Sequence, residues 1–209
     1  MAYLKRFARR ARRTFGRQES SAEAGGAPAL PAFPADGLIG TYAIVRAYLR
    51  EDLPGRAALE ESQGVQWAQM PKIADRMDSF FTESHAALAN GRGPYQLAVV
   101  GKADGRYAGE VYVETSGEAS ATYAAAYLPE FRHTRVSMES LMLIPDWLMT
   151  TSLHRLEASH SIENVPAHRA LLRMSFPVEG VKRLAYPLRT ADGIEWYDEC
   201  CHAMVNENA

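Results

Sequence analysis

The stretch LHRLEASHSIENVPAHRALLRMSFPVEG, residues 153–180, decides the fold. HRLEASHS alternates with period two and reads as a strand, VPAHRALLRM reads as a helix, and FPVEG opens a further strand that continues through VKRLAYPL. Asn164 stands at the start of the helix, just before Pro166, where an amide side chain can cap the first turn. Downstream, IEWYDECCHAMV (194–205) supplies a last strand. Strands and helices thus alternate through this half of the chain, which predicts a mixed α/β or α+β domain built on one sheet.

Working upstream, PEFRHTRVSMESL (129–141) is a turn that opens a helix reaching about Thr150. Arg132, His133 and Arg135 crowd its start together with Thr134 and Ser137. The unpaired N–H groups and dipole of a helix start favour an anion there. Pro145 lies inside the helix and should kink or shorten it. Before it come a strand in SATYAAAYL (120–128) and a hairpin in YQLAVVGKADGRYAGEVYVET (95–115), turning at Asp104-Gly105. PKIADRMDSFFTESHAALANG (71–91) is a helix opened by Pro71 and closed by Asn90-Gly91, with an apolar stripe of Ile73, Met77, Phe80, Phe81 and Leu88. REDLPGRAALEES (50–62) reads as a short helix, and TYAIVRAYL (41–49) as the first strand.

At 209 residues and 47% hydrophobic composition the chain can bury one sizeable core. The net charge of -2 hides an uneven distribution. Seven of the 23 basic residues fall within positions 1–17, so 16 basic residues face all 25 acidic ones in the remainder. The acidic body has no general attraction for nucleic acid. In MAYLKRFARRARRTFGR the apolar residues Leu4, Phe7, Ala8, Ala11 and Phe15 take one side of a helical wheel and the basic residues the other. Residues 1–17 therefore read as a basic amphipathic helix, with three open partners: an anionic membrane surface, RNA or an acidic protein. A frayed tail or an organelle-targeting segment has the same pattern. Residues 18–37, rich in Ala, Gly, Pro and Ser, read as a flexible linker, and the folded domain is expected over 38–209. Adjacent Cys200 and Cys201 cannot form an ordinary disulfide with each other, which fits a reducing cytoplasm, with peripheral membrane attachment through the tail left open. No apolar run approaches the length of a membrane span. The six histidines show no paired metal-ligand spacing with the acids, and the two cysteines face opposite sides of a regular strand, so no metal site is expected.

The run from Arg155 to Gly180 resembles the GNAT (GCN5-related N-acetyltransferase) superfamily, most closely the RimJ/RimL-like branch of ribosomal-protein N-terminal acetyltransferases. The residues that carry it, in order, are Arg155, Glu157, Ala158, Asn164, Arg169, Leu171, Phe176, Glu179 and Gly180. Asp104-Gly105, Gly109, Asp192-Gly193 and the run Trp196–Asp198 extend the resemblance over residues 40–206. It implies a single α+β domain: a mixed, mostly antiparallel sheet flanked by helices, whose central fourth and fifth strands splay apart. It also implies acetyl-CoA or another acyl-CoA held in that gap, with the pantetheine arm near Tyr127 and Leu128. The pyrophosphate would lie on Arg132, His133, Thr134, Arg135, Val136 and Ser137, and Asn164 and Arg169 would contribute from the following strand–helix run.

The same resemblance exposes departures. Arg135 occupies the family's glycine position, and His133 stands where close relatives often have a second glycine. Either side chain obstructs a phosphate or binds one. Ala167 replaces a serine that in some relatives protonates the thiolate, Ser175 replaces the glycine at the helix end, and Thr122 lies where many relatives carry a glutamate base. Glu110, on the hairpin with Glu114, is the candidate replacement base, and a solvated strand face is its competing reading. Asn164 likewise has two readings, an acceptor or CoA contact and a helix cap. His154 and His168 are candidate proton carriers or ordinary polar residues. Trp67, Phe80, Phe81 and Tyr95 line the expected acceptor groove or simply fill the core. The implied activity is acyl-CoA-dependent N-acyl transfer to a primary amine. The alternatives are a non-acetylating binding or scaffold module, and acyl transfer from another donor such as aminoacyl-tRNA. A homodimer is left open.

Overall fold

A computed structural model describes residues 29–62, 73–190, 193–207 and 209. Among these, eight strands form one sheet: β1 (Leu38–Ile39), β2 (Ala43–Arg46), β3 (Tyr95–Gly101), β4 (Tyr107–Thr115), β5 (Ser120–Tyr127), β6 (Arg155–Ser161), β7 (Val178–Thr190) and β8 (Gly193–Val205). Their order is β1-β2-β3-β4-β5-β6-β8-β7. Every neighbouring pair is antiparallel except β5 and β6. The α-helices are α1 (Leu53–Ser62), α2 (Met77–Asn90), α3 (Arg135–Leu148) and α4 (Val165–Arg173). None is long and apolar enough to cross a membrane.

Strand alternation sorts the core into two layers. Leu97 pairs with Val111 and Tyr95 with Val113, and these side chains join Ile144 and Leu148 of α3 and Leu171 of α4 in the main apolar cluster. The next residues along, Ala98 and Glu110, face the other way, where Tyr48, Leu53, Ile73 and Phe80 form a smaller cluster beside α1 and α2. The hairpin glycines have definite reasons. Gly105 turns with φ +68, and a Cβ on Gly109 would collide with the Ala126 carbonyl of β5.

Within the described residues the expected elements are present, with differences at the margins: the helix expected over 71–91 runs from Met77 to Asn90, after a separate short turn at Ile73–Asp75. The body starts before Leu38. Leu30 is buried with its N–H on the Gly91 carbonyl, the Pro31 carbonyl accepts from the Tyr95 hydroxyl, and Phe33 packs edge-on against Tyr95 and Trp147. Residues 29–37 therefore belong to the fold and not to a flexible linker. Their Pro- and Ala-rich composition concealed two apolar anchors. Pro145 falls in the last turn of α3, which ends at Leu148. The basic helix expected over residues 1–17, together with Trp67 and Pro71, falls outside the described residues.

Candidate active site

The sheet opens between β5 and β6, the strands that the resemblance numbers fourth and fifth. Their parallel pairing covers Ser120 with Arg155, Ala121 with Leu156 and Thr122 with Glu157, and then stops. From Tyr123 to Tyr127, β5 remains bonded to β4 on its other edge. Alternate backbone groups of that segment therefore face the gap without a strand partner. Tyr127 and Leu128 end the exposed edge. The Leu128 N–H bonds back to the Ala108 carbonyl, and the Tyr127 hydroxyl lies 2.8 Å from the Ser140 hydroxyl of α3.

Directly after β5 the chain turns into α3 at the open end of the gap. Thr134 is the N-cap: its hydroxyl oxygen accepts from the Ser137 N–H at 3.4 Å. Ser137 is buried, and its hydroxyl donates to the Thr134 carbonyl. Among the described residues no acceptor reaches the N–H of Arg135 or Val136. These amides point out of the helix start, where the dipole favours an anion.

The two lost glycines turn out to be different cases. His133 holds φ 61, the left-handed conformation for which glycine is suited. Arg135 is the first residue of a regular helix and has no positive φ, so nothing in the backbone demands glycine there. Its guanidinium is drawn sideways onto Tyr42, donating to that hydroxyl at 2.9 Å and lying 5.0 Å from the ring centroid. Arg132 is exposed and donates through Nε to the Tyr127 carbonyl at 3.3 Å, which keeps its other nitrogens beside the end of β5. The loop and the first strands are tied together by Glu139, whose carboxylate accepts from the N–H groups of Thr41, Tyr42 and Ala43. Slight burial works against the charge of Glu139, but those three amides outweigh it and lower its pKa.

The residues expected to move protons are placed elsewhere or are already engaged. Glu110 faces α1, not solvent. Its Oε2 lies 2.7 Å from Arg56 Nε and accepts from the Tyr48 hydroxyl at 3.0 Å. Burial works against the Arg56 charge, yet the facing Glu110 raises its pKa. Held between the buried Arg56 guanidinium and the Tyr48 phenol, the Glu110 carboxylate ties β4 to α1 and lies on the face away from the main apolar cluster. Thr122 donates to the Glu114 carbonyl at 3.3 Å. Asn164 caps α4, its Oδ1 accepting from the Ala167 N–H at 3.2 Å. Arg169 is exposed on α4. The Nδ1 of His154 lies 3.1 Å from the Asn206 carbonyl, and Phe80 and Tyr95 are core residues.

Several residues of the resemblance hold the second half of the sheet together. Arg155 of β6 bonds Glu157 on its own strand and both oxygens of Glu179 on β7, reaching across β8. The Arg155 bond lowers the Glu179 pKa against a small opposing effect of burial. Ser175 has φ 62, so it fills the left-handed position at the end of α4 where the family pattern has glycine.

Beneath α4 the fold assembles a group that the linear spacing did not suggest. His160 of β6, His168 of α4, and Cys200 and His202 of β8 bring four ligand atoms within 4.8 Å of one another. The register explains it, since His160 pairs with Cys200 and Ala158 with His202, so the three strand side chains share one face. Cys201 points to the other face, as expected from strand alternation. The expectation of no metal site rested on sequence spacing, and these residues come from three separate elements.

No family model matches the chain, and no curated protein matches it by sequence. Solved structures do match by shape. RimJ from Mycobacterium smegmatis, in complex with CoA-disulfide, superposes with a TM-score of 0.64 at 20% identity, over 79% of this chain and 82% of that one. The ribosomal-protein-S5-alanine acetyltransferase from Vibrio fischeri gives 0.68 at 15% identity, over 81% and 96%. The microcin C7 self-immunity acetyltransferase MccE, in complex with acetyl-CoA and AMP, gives 0.67 at 17%, over 83% and 98%. With its split between β5 and β6 and the capped helix start beyond it, the chain has the fold of the GNAT acetyltransferases.

Proposed function

We propose that the chain is an acyl-CoA-dependent N-acyltransferase, acetyl-CoA being the first donor to test, acting on a primary amine of a protein, peptide or small molecule. The observation that carries this reading is the conjunction of an unpaired β5 edge, Tyr123–Tyr127, with a capped α3 start whose Arg135 and Val136 amides are open to an anion. The CoA-bound states of RimJ and MccE, on the same fold, support it. Acyl-CoA would supply an activated thioester. The amides of Arg135 and Val136 and the side chains of Arg132 and His133 would hold its pyrophosphate. A backbone N–H of β5 facing the gap would stabilise the developing oxyanion, a task that needs no particular side chain. With Thr122 unable to act as a base and Glu110 held by Arg56, deprotonation of the amine falls to water or to the incoming substrate itself.

The test is transfer by the full chain from acetyl-CoA to a panel of peptide N-termini, lysines and polyamines, read as CoA thiol release. Turnover with one class, and a KM for acetyl-CoA raised about tenfold by Arg132→Ala, are expected. The engaged Glu110 favours a second reading, a GNAT-fold binding module that no longer acetylates. CoA binding without thiol release from any amine would select it.

A further inference from the structure

We propose that His160, His168, Cys200 and His202 form a tetrahedral zinc site that fastens α4 to β6 and β8. Two of the distances between ligand atoms lie close to the edges of such a shell, and a third is somewhat longer. His160 Nε2 lies 3.1 Å from His202 Nε2, Cys200 Sγ lies 3.4 Å from His202 Nε2, and Cys200 Sγ lies 4.0 Å from His168 Nδ1. A tetrahedron with Zn–N of about 2.0–2.1 Å and Zn–S of about 2.3 Å has edges of roughly 3.3–3.6 Å. His168, half-buried on a helix surface, needs only a small side-chain adjustment to close the last edges.

Tautomers strengthen the case. His160 Nδ1 lies 2.7 Å from the Ser161 carbonyl oxygen and His202 Nδ1 lies 2.8 Å from the Phe176 carbonyl oxygen. A carbonyl only accepts, so both Nδ1 atoms carry the hydrogen. In two neutral rings both Nε2 atoms are then lone pairs, and they face each other across 3.1 Å in a buried place. A cation between them turns that repulsion into two bonds. Backbone carbonyls receiving the far N–H of metal-binding histidines are the usual outer shell of such sites, and they select Nε2 as the ligand atom. One thiolate with three imidazoles suits zinc and leaves no open coordination position, which makes the site structural.

The proposal is independent of acyl transfer and is tested without it. The full chain, with reduced thiols and without a polyhistidine tag, is purified from zinc-supplemented medium and its metal content measured. Zinc is then replaced by cobalt(II). One zinc per chain is expected, together with intense visible bands of tetrahedral cobalt and a thiolate-to-cobalt charge-transfer band in the near ultraviolet. Cys200→Ser should abolish the charge-transfer band, and His168→Ala, a half-exposed helix position, should weaken zinc binding by at least about tenfold. Cys201→Ser should change neither. Far-UV circular dichroism establishes that each variant is folded. A folded chain that binds neither ion overturns the proposal, and points to a proton shared by His160 and His202. Spectra that survive Cys200→Ser or His168→Ala overturn it too, because the metal would then lie elsewhere.

Discussion

The two halves of the sheet, β1–β5 and β6–β8, are held by different chemistry. In the first, helices α1, α2 and α3 cover both faces, and apolar side chains of β2–β4 do most of the packing around one buried ion pair, Arg56 with Glu110. In the second, the apolar cluster continues through Leu156, Leu171 and Phe176, but partly exposed charges also bridge strands through Arg155, Glu157 and Glu179, and polar side chains collect beneath α4. The difference teaches where each kind of interaction can be read. Apolar packing shows as periodicity along the chain, whereas polar clusters form between residues far apart in sequence.

The comparison breaks most visibly at Arg56. Arg56→Met leaves the Glu110 carboxylate buried without its guanidinium, and chemical denaturation should register a loss of about 3–5 kcal/mol. The double variant Arg56→Met/Glu110→Gln should recover a large part of it. Arg155→Met, in the other half, removes two pairs, with Glu157 and Glu179, whose side chains are 38% and 41% exposed, so a loss of only about 1 kcal/mol is expected. If the two substitutions cost the same, the contrast between the halves fails.

Next comes Asn206, buried where β8 ends, whose Nδ2 reaches the carbonyls of Met149, Thr151 and Leu153. Asn206→Ala removes the amide donor shared by these three carbonyls, of which the Leu153 bond is buried, and should lower stability by about 2 kcal/mol, measured by thermal unfolding.

Glu139→Gln should cost about 1–2 kcal/mol at neutral pH, because a charged acceptor of three backbone amides becomes a neutral one. Its folded pKa is depressed, so its contribution is fully present above the unfolded carboxylate pKa and is lost as pH falls through the folded value. The gap between wild type and Glu139→Gln should therefore close on acidification below about pH 4. A gap that widens there would contradict the assignment. The smallest effect is a gain. Ser175→Gly relieves a left-handed residue and should raise stability by about 1 kcal/mol, a shift to be read from the denaturation midpoint.

Much of this fold is legible in the sequence. The period-two run HRLEASHS, the amphipathic VPAHRALLR and the Asp104-Gly105 turn each encode their local structure, and the structure places β6, α4 and the β3–β4 hairpin there. The sequence also places Thr134 at the entry of a helix, and the structure makes it the cap. Non-local facts are hidden. Whether Glu110 faces α1 or the gap depends on the register with β3 and on Arg56, 54 positions away. Leu30 and Phe33 looked like linker because the partners that make them core, Gly91, Tyr95 and Trp147 among them, lie far along the chain. The His/Cys group is not legible in the sequence: Cys200 and His202 stand two apart on one strand, a pair too small to indicate a site until the fold brings His160 and His168 beside it.

The proposed acyl transfer requires that a loop without glycines grip a pyrophosphate, with the His133 backbone taking the left-handed turn and the Arg135 side chain leaning away onto Tyr42. Calorimetric titration of the full chain with acetyl-CoA and with free CoA tests it most directly. The account predicts micromolar binding of both, weakened about tenfold by Arg132→Ala and less by Arg135→Ala. A folded chain that takes up neither, or one whose affinity is indifferent to Arg132, would contradict it.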